Sequence, residues 1–318
     1  MPHPSITAQT YPHKPAIIMG DSGEMVTYRQ LDERSNQGAQ LFRSLGIQKG
    51  DHIGLMMVNC RQFLEICWAA QRAGVIYTPI STHLKRDETA YILENCGAKV
   101  FVASHELADV AAEIIETSPA IEHFYMVDGV VPGFEAWEEA IDAQPEEPIA
   151  DQANGVPMLY SSGTTGKPKG VFIPPASDDY DADHPLAGTL GLVFGFSDET
   201  VYLSPAPLYH AAPLHYNNMV LFQGGTTVVM EKFNPERALQ LIEEHRVTHS
   251  QWVPILFIRM LKLPEDVRSK YDLSSMQFAI HAAAPCPVET KEKMIEWWGP
   301  VIVEYYAASE GIGATIID

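Results

Sequence analysis

Between residues 159 and 171 the chain reads "LYSSGTTGKPKGV". From Ser161 to Gly170, every residue except Pro168 is Ser, Thr, Gly or Lys. Such residues cannot build a core. They offer hydroxyls at Ser161, Ser162, Thr164 and Thr165, backbone N–H groups around Gly163 and Gly166, and ammonium groups at Lys167 and Lys169. Donors and cations converging in this way suit a polyphosphate. The better-known phosphate loops do not fit. A Walker loop needs a second glycine five residues after the first, followed by Lys and Ser/Thr, but the residue five after Gly163 is Pro168. The spacing G-x-G-x-x-G is absent as well. On composition alone, a mobile surface loop remains an equal alternative.

Three further stretches carry residues of the same interest. Residues 204–213 read "SPAPLYHAAP", 281–287 read "HAAAPCP", and 304–311 read "EYYAASEG". Taken with them, "YSSGTTGKPKGV" resembles the phosphate-binding signature of the adenylate-forming superfamily, which holds acyl-CoA synthetases, luciferases and peptide-synthetase adenylation domains. The resemblance runs over the whole chain and lies with the acyl-CoA synthetase branch. It implies an α/β fold of two stacked αβ subdomains, with largely parallel sheets flanked by helices. It also implies ATP, Mg²⁺ and coenzyme A as reaction partners, together with a small-molecule carboxylic acid.

Roles follow from the resemblance position by position. Residues Ser161, Ser162, Gly163, Thr164, Thr165, Gly166, Lys167 and Lys169 would hold the phosphates, Thr165 among the catalytic groups. His210 would stand near the acyl carboxylate. Ala283, Ala284 and Pro285 would lie against adenine, with Ala282 and Ala283 where the family has glycines. In the segment of Glu304, Tyr305, Tyr306 and Ala307, Tyr306 would stack on adenine, and Ala307 replaces a glycine. Ser309, in place of a threonine, would reach the α-phosphate, and Glu310 would hold Mg²⁺. Family members continue past the point where this chain stops, at Asp318, into a ribose-binding segment and a small C-terminal lid domain. The chain is therefore expected to be a truncated N-terminal portion, unable to complete the ligase cycle.

Elements must position these residues. Apolar β-rich runs such as "HIGLMMVN", "VIYTPIS" and "KVFVAS" alternate with helical patterns that stop at Gly46, Gly74 and Gly97. That alternation predicts parallel sheet with crossover helices. Asn234 followed by Pro235 predicts a capped helix start. Residues 144–155, "QPEEPIADQANG", read as a linker. The expected domains are thus 1–150, a first αβ subdomain, and 151–318, a second αβ portion carrying the nucleotide motifs. "VIVEYYAAS" is expected to be the last strand.

Bulk properties narrow the function. The 318 residues include 21 basic and 41 acidic ones, a net charge of −20 that argues against nucleic acid as a partner. No apolar run reaches the roughly 18 residues a membrane span needs, and no signal-peptide pattern opens the chain. Four cysteines without a C-x-x-C pair read as reduced thiols, so the expected location is cytoplasmic. A homodimer is possible on this reading. Weaker signals are set aside: "DDYDADH" lacks a calcium loop's glycine and final Glu, and His245 with His249 lacks a third zinc ligand. Trp252 and Phe257 read as core. Amino-acid-adenylating members of the superfamily place an Asp just after the aromatic of this segment to hold the substrate ammonium; Leu208 to His215 contain no Asp or Glu, so the resemblance disfavours an amino-acid substrate. A fatty, aromatic or steroid-side-chain acid is left. The competing function is a non-catalytic module that binds nucleotide or acyl-adenylate.

Overall fold

The structure is a computed structural model that describes residues 4–161, 167–180, 182, 185–308 and 313–317. In chain order the strands are β1 (Pro15–Met19), β2 (Met25–Thr27), β3 (His52–Met56), β4 (Ile76–Pro79), β5 (Ala98–Ser104), β6 (His123–Val127), β7 (Glu135–Ala136) and β8 (Met158–Ser161). They continue as β9 (Lys169–Phe172), β10 (Val201–Ser204), β11 (Thr226–Val229), β12 (His249–Trp252), β13 (Phe278–His281), β14 (Ile302–Ala307) and β15 (Ala314–Ile317).

The chain divides into two compact units. Unit 1 takes Met1–Tyr28, Pro185–Pro207 and Ala212–Asp318; unit 2 takes Arg29–His184 and Leu208–Ala211. The units thus part at positions other than the expected 150/151. The N-terminal segment belongs to unit 1 because β1 pairs in parallel with β11, far along the chain, with Ile17 opposite Thr227.

Unit 2 holds a parallel sheet in the order β4-β3-β5-β6-β7 and a separate antiparallel hairpin, β8-β9. Its central strands are buried on both faces, as their continuous apolar runs require. Helix Arg86–Cys96 ends where Gly97 turns left-handed, at φ 70°. Ile92 and Leu93 of that helix enter a core with Met56, Phe101 and Met126, against which Met158 and Tyr160 of β8 also pack. Gly54 on β3 permits this approach: a Cβ there would sit 2.2 Å from a Leu93 methyl.

Residues 144–155 do not form the linker their Pro and acid content predicts. Ala153 N–H donates to the Arg72 carbonyl and Gly155 N–H to that of Gln71, and Tyr77 N–H donates to the Val156 carbonyl. Residues 153–156 therefore run packed between the end of helix Arg61–Arg72 and β4, while residues 145–148, 150 and 151 are exposed. A Cβ at Gly155 would stand 2.4 Å from two carbonyl oxygens, those of Ala70 and Val75.

Unit 1 is built on an eight-stranded sheet in the order β15-β14-β13-β12-β10-β11-β1-β2. Its six inner strands are parallel; β2 and β15 close the two edges antiparallel. β15 follows β14, so "VIVEYYAAS" is not the last strand. One face packs Trp252, Phe257, Met294 and Trp298 beneath the helices Pro254–Leu261 and Val288–Trp298. The other face packs Phe194, Tyr202, Tyr216 and Val303. Helix Pro235–His245 starts as expected: Asn234 Oδ1 accepts from the N–H groups of Glu236 and Arg237 at 3.0 and 3.1 Å. Both units show the expected α/β class, parallel sheets flanked by helices.

Candidate active site

Open parallel sheets bind ligands outside the carboxyl ends of their strands, where the strand order reverses. In unit 1 the chain passes from β10 to β11 on one side and then to β12 on the other, so the reversal falls between β10 and β12. Residues 204–207, the start of "SPAPLYHAAP", leave the carboxyl end of β10. Residues 282–285 leave that of β13, and Tyr306 and Ala307 end β14. The structure thus gathers three separately predicted segments at one end of one sheet.

Register aligns the side chains there. Trp252 pairs with His281, and His281 with Glu304. Paired residues share a face, so the imidazole and the carboxylate point the same way. Glu304 Oε2 accepts from Lys291 Nζ at 3.0 Å and lies 3.9 Å from His281 Nε2. His281 is fully buried and neither ring nitrogen has a hydrogen bond. Burial lowers its pKa, outweighing the opposite pull of Glu304, so the ring is neutral at pH 7. Burial also raises the Cys286 thiol, with Glu304 adding to it. Tyr305 packs its ring 6.2 Å from that of Tyr216, whereas Tyr306 is 79% exposed and has a face free for a planar ligand.

Ala283 has φ +72°, a left-handed conformation suited to the glycine it replaces. The residue is exposed, so burial of its methyl group contributes little to offset the strain. Ala283→Gly is expected to stabilise unit 1 by roughly 0.5–1 kcal/mol, the strain relieved less the chain entropy glycine adds to the unfolded state. The urea midpoint checks this; a lower midpoint would refute the strain.

In unit 2 the described ends of "SSGTTGKPKG" lie on paired antiparallel strands: Ser161 on β8 pairs with Lys169 on β9. Ser162, Gly163, Thr164, Thr165 and Gly166 lie outside the described residues, as do Ser309 and Glu310. Lys169 is exposed. Lys167 sets its Nζ 4.4 Å from the centroid of the Tyr91 ring. Tyr91 and its helix neighbour Asn95 were not singled out by sequence, although their four-residue spacing puts them on one helix face.

His210 packs its ring against Tyr209, centroids 4.5 Å apart. Solvent reaches the side chain, yet surrounding protein lowers its pKa, with His83 as the second cause. It too is neutral at pH 7, able to meet a carboxylate as a single donor. His249 serves packing: Nε2 lies 2.7 Å from the Phe194 carbonyl and Nδ1 2.8 Å from Thr248 Oγ1. Asp178 of "DDYDADH" pairs with Lys49 at 2.7 Å. Among the described residues, no group of three or more His, Cys, Asp or Glu is placed to hold a metal.

Burial lowers the pKa of His52, His210, His245, His249 and His281 below the ordinary value of 6.5. Below that value the unfolded chain binds more protons than the folded one, so this stability is present above pH 6.5 and is lost as pH falls. The raised carboxyls of Glu33 and Glu65 act in the opposite sense. With five histidines against two carboxyls, the urea midpoint is expected to be lower at pH 5.5 than at 7.5; a flat or rising midpoint would refute this.

The sequence matches the family described as AMP-binding enzyme over residues 5–318. It is 28% identical over 325 aligned residues to a crotonobetaine/carnitine–CoA ligase of Escherichia coli O7:K1 (strain IAI39 / ExPEC), covering 98% of this chain. The chain spans 61% of the length of that relative. It is similar to the structure of the anthranilate CoA ligase AuaEII in complex with anthranoyl-AMP, at 25% identity and a TM-score of 0.83, covering 98% of this chain and 60% of that one. ATP-bound MatB from Rhodopseudomonas palustris is similar at 25% identity and a TM-score of 0.77, over 96% and 60% of the two chains.

Proposed function

Because this chain belongs to the AMP-binding enzyme family, we propose that it binds ATP and a carboxylic acid for adenylation, as part of an acid–thiol ligase. In that reaction a carboxylate oxygen attacks the α-phosphorus of ATP and the bond to pyrophosphate breaks. The thiol of coenzyme A then takes the acyl group and AMP leaves. The observation that carries the reading is the convergence of residues 204–207, 282–285 and 306–307 at the carboxyl ends of β10, β13 and β14. The bound ATP and anthranoyl-AMP of the two solved relatives support it.

The chemistry is largely positioning and charge neutralisation. Tyr306 offers a ring face to adenine, and the turn at Ala283, Ala284 and Pro285 offers backbone beside it, with Glu304 and Ala307 flanking. Ser161, Lys167 and Lys169, with residues 162–166, would bind the phosphates, and Ser309 the α-phosphate. Glu310 would hold Mg²⁺, which offsets phosphate charge when bound; such a site needs only one or two protein carboxylates besides the phosphates. Neutral His210 would face the acid. The lack of an acidic side chain from Leu208 to His215 favours an acid without an ammonium group, whether fatty, aromatic or steroid-side-chain. Four free thiols suit the cytoplasm, and no described helix is long and apolar enough to cross a membrane.

Acid-dependent ATP–pyrophosphate exchange tests the reading, run over a panel of acids with this chain and with a C-terminally lengthened version. Exchange in either version supports it. Nucleotide binding without exchange in both would point instead to a binding module.

A further inference from the structure

Resting on the reading of residues 161–170 as an ATP-phosphate segment, we infer that Tyr91 is a positioning residue. It seats the Lys167 ammonium for the outer phosphates and so lets the site tell a triphosphate from a monophosphate.

Three contacts tie the hairpin to helix Arg86–Cys96. Lys167 Nζ lies 4.4 Å above the Tyr91 ring. The Tyr91 hydroxyl donates to the Pro168 carbonyl at 3.3 Å. One turn on, Asn95 Oδ1 accepts from the Tyr160 hydroxyl at 2.6 Å. One helix face therefore holds the segment at both its entry, Tyr160, and its exit, Pro168. Gly170 leaves room for this: a Cβ there would come within 3.1 Å of the Tyr160 ring.

The choice of an aromatic seat matters chemically. A carboxylate under Lys167 would neutralise it and compete with phosphate oxygens, and 41 acidic residues make carboxylates plentiful in this chain. A ring face attracts the ammonium through its quadrupole and leaves the charge in place. It also leaves ammonium N–H donors free on the side away from the ring. The helix itself is fixed by Ile92 and Leu93 in the unit 2 core, so the seat is rigid.

Calorimetric titration of ATP, pyrophosphate and AMP into the chain and its variants tests this. Tyr91→Leu is expected to weaken ATP and pyrophosphate about three- to fivefold, the range a cation–π contact supports, and to leave AMP unchanged. Tyr91→Phe, which keeps the ring, should retain most of the ATP affinity. In a Lys167→Ala background, Tyr91→Leu should cost nothing further, because the tyrosine acts through the lysine. Tyr91→Met gives the same comparison should the leucine variant fail to fold. Equal losses for ATP and AMP, a full further loss without Lys167, or tighter ATP binding would each overturn the inference and leave the functional reading standing. A wild-type chain that bound none of the three ligands would overturn both.

Discussion

Replacing Gly155 with alanine is expected to destabilise unit 2 by about 3 kcal/mol, the upper end of ordinary overpacking costs. The added methyl carbon would meet the carbonyl oxygens of Ala70 and Val75 at 2.4 Å and the Val75 nitrogen at 2.9 Å. These are backbone atoms at the junction of helix Arg61–Arg72 and β4, so no rotamer change relieves the clash. The chain would have to shift, and the Gly155-to-Gln71 hydrogen bond of 2.7 Å would go with it. Gly170→Ala is the control. Its closest clash, at 2.2 Å, is with the terminal methyl of Met158, which can swing aside, and the Tyr160 ring, at 3.1 Å, has to give by only a few tenths of an ångström. Urea unfolding of the two variants should show a large fall in midpoint for Gly155→Ala and a small one for Gly170→Ala. Equal midpoints would mean that residues 153–157 are not packed as described.

The second large effect concerns ligand binding. Tyr306→Ala is expected to weaken AMP and ATP alike by about tenfold or more, since stacking of a base on an aromatic ring contributes about 1–3 kcal/mol. Stability should hardly change, because the side chain is 79% exposed. The pairing of effects is diagnostic: nucleotide titration should move while the urea midpoint does not. Unchanged AMP affinity would remove Tyr306 from the adenine site.

Local signals account for much of what the sequence reveals. Gly46, Gly74 and Gly97 stop helices because each takes a positive φ, at 78°, 66° and 70°. Asn234 caps a helix with its own side chain. What escaped the sequence depends on distant partners. β1 is a short strand whose place in the sheet comes from β11, and β2 and β15 are edge strands with antiparallel partners. Residues 144–155 look like a linker because Pro and acidic residues crowd them, yet Gly155 is there for close packing. The motif segments of unit 1 stand out in the sequence by residue type, and the carboxyl ends of β10, β13 and β14 bring them to one end of the sheet. The Lys291–Glu304 pair and buried His281 beside them were not, since parallel register brings them together. Tyr91 under Lys167 was likewise invisible, a contact between a helix and a hairpin far along the chain.

On the proposed reading, adenine sits at the carboxyl end of the unit 1 sheet. Photolabelling with 8-azido-ATP, followed by peptide mapping, tests it most directly. Label is expected on the peptides holding residues 282–285 and Tyr306, abolished by excess AMP. Label confined to other segments, or label that AMP does not displace, would contradict it.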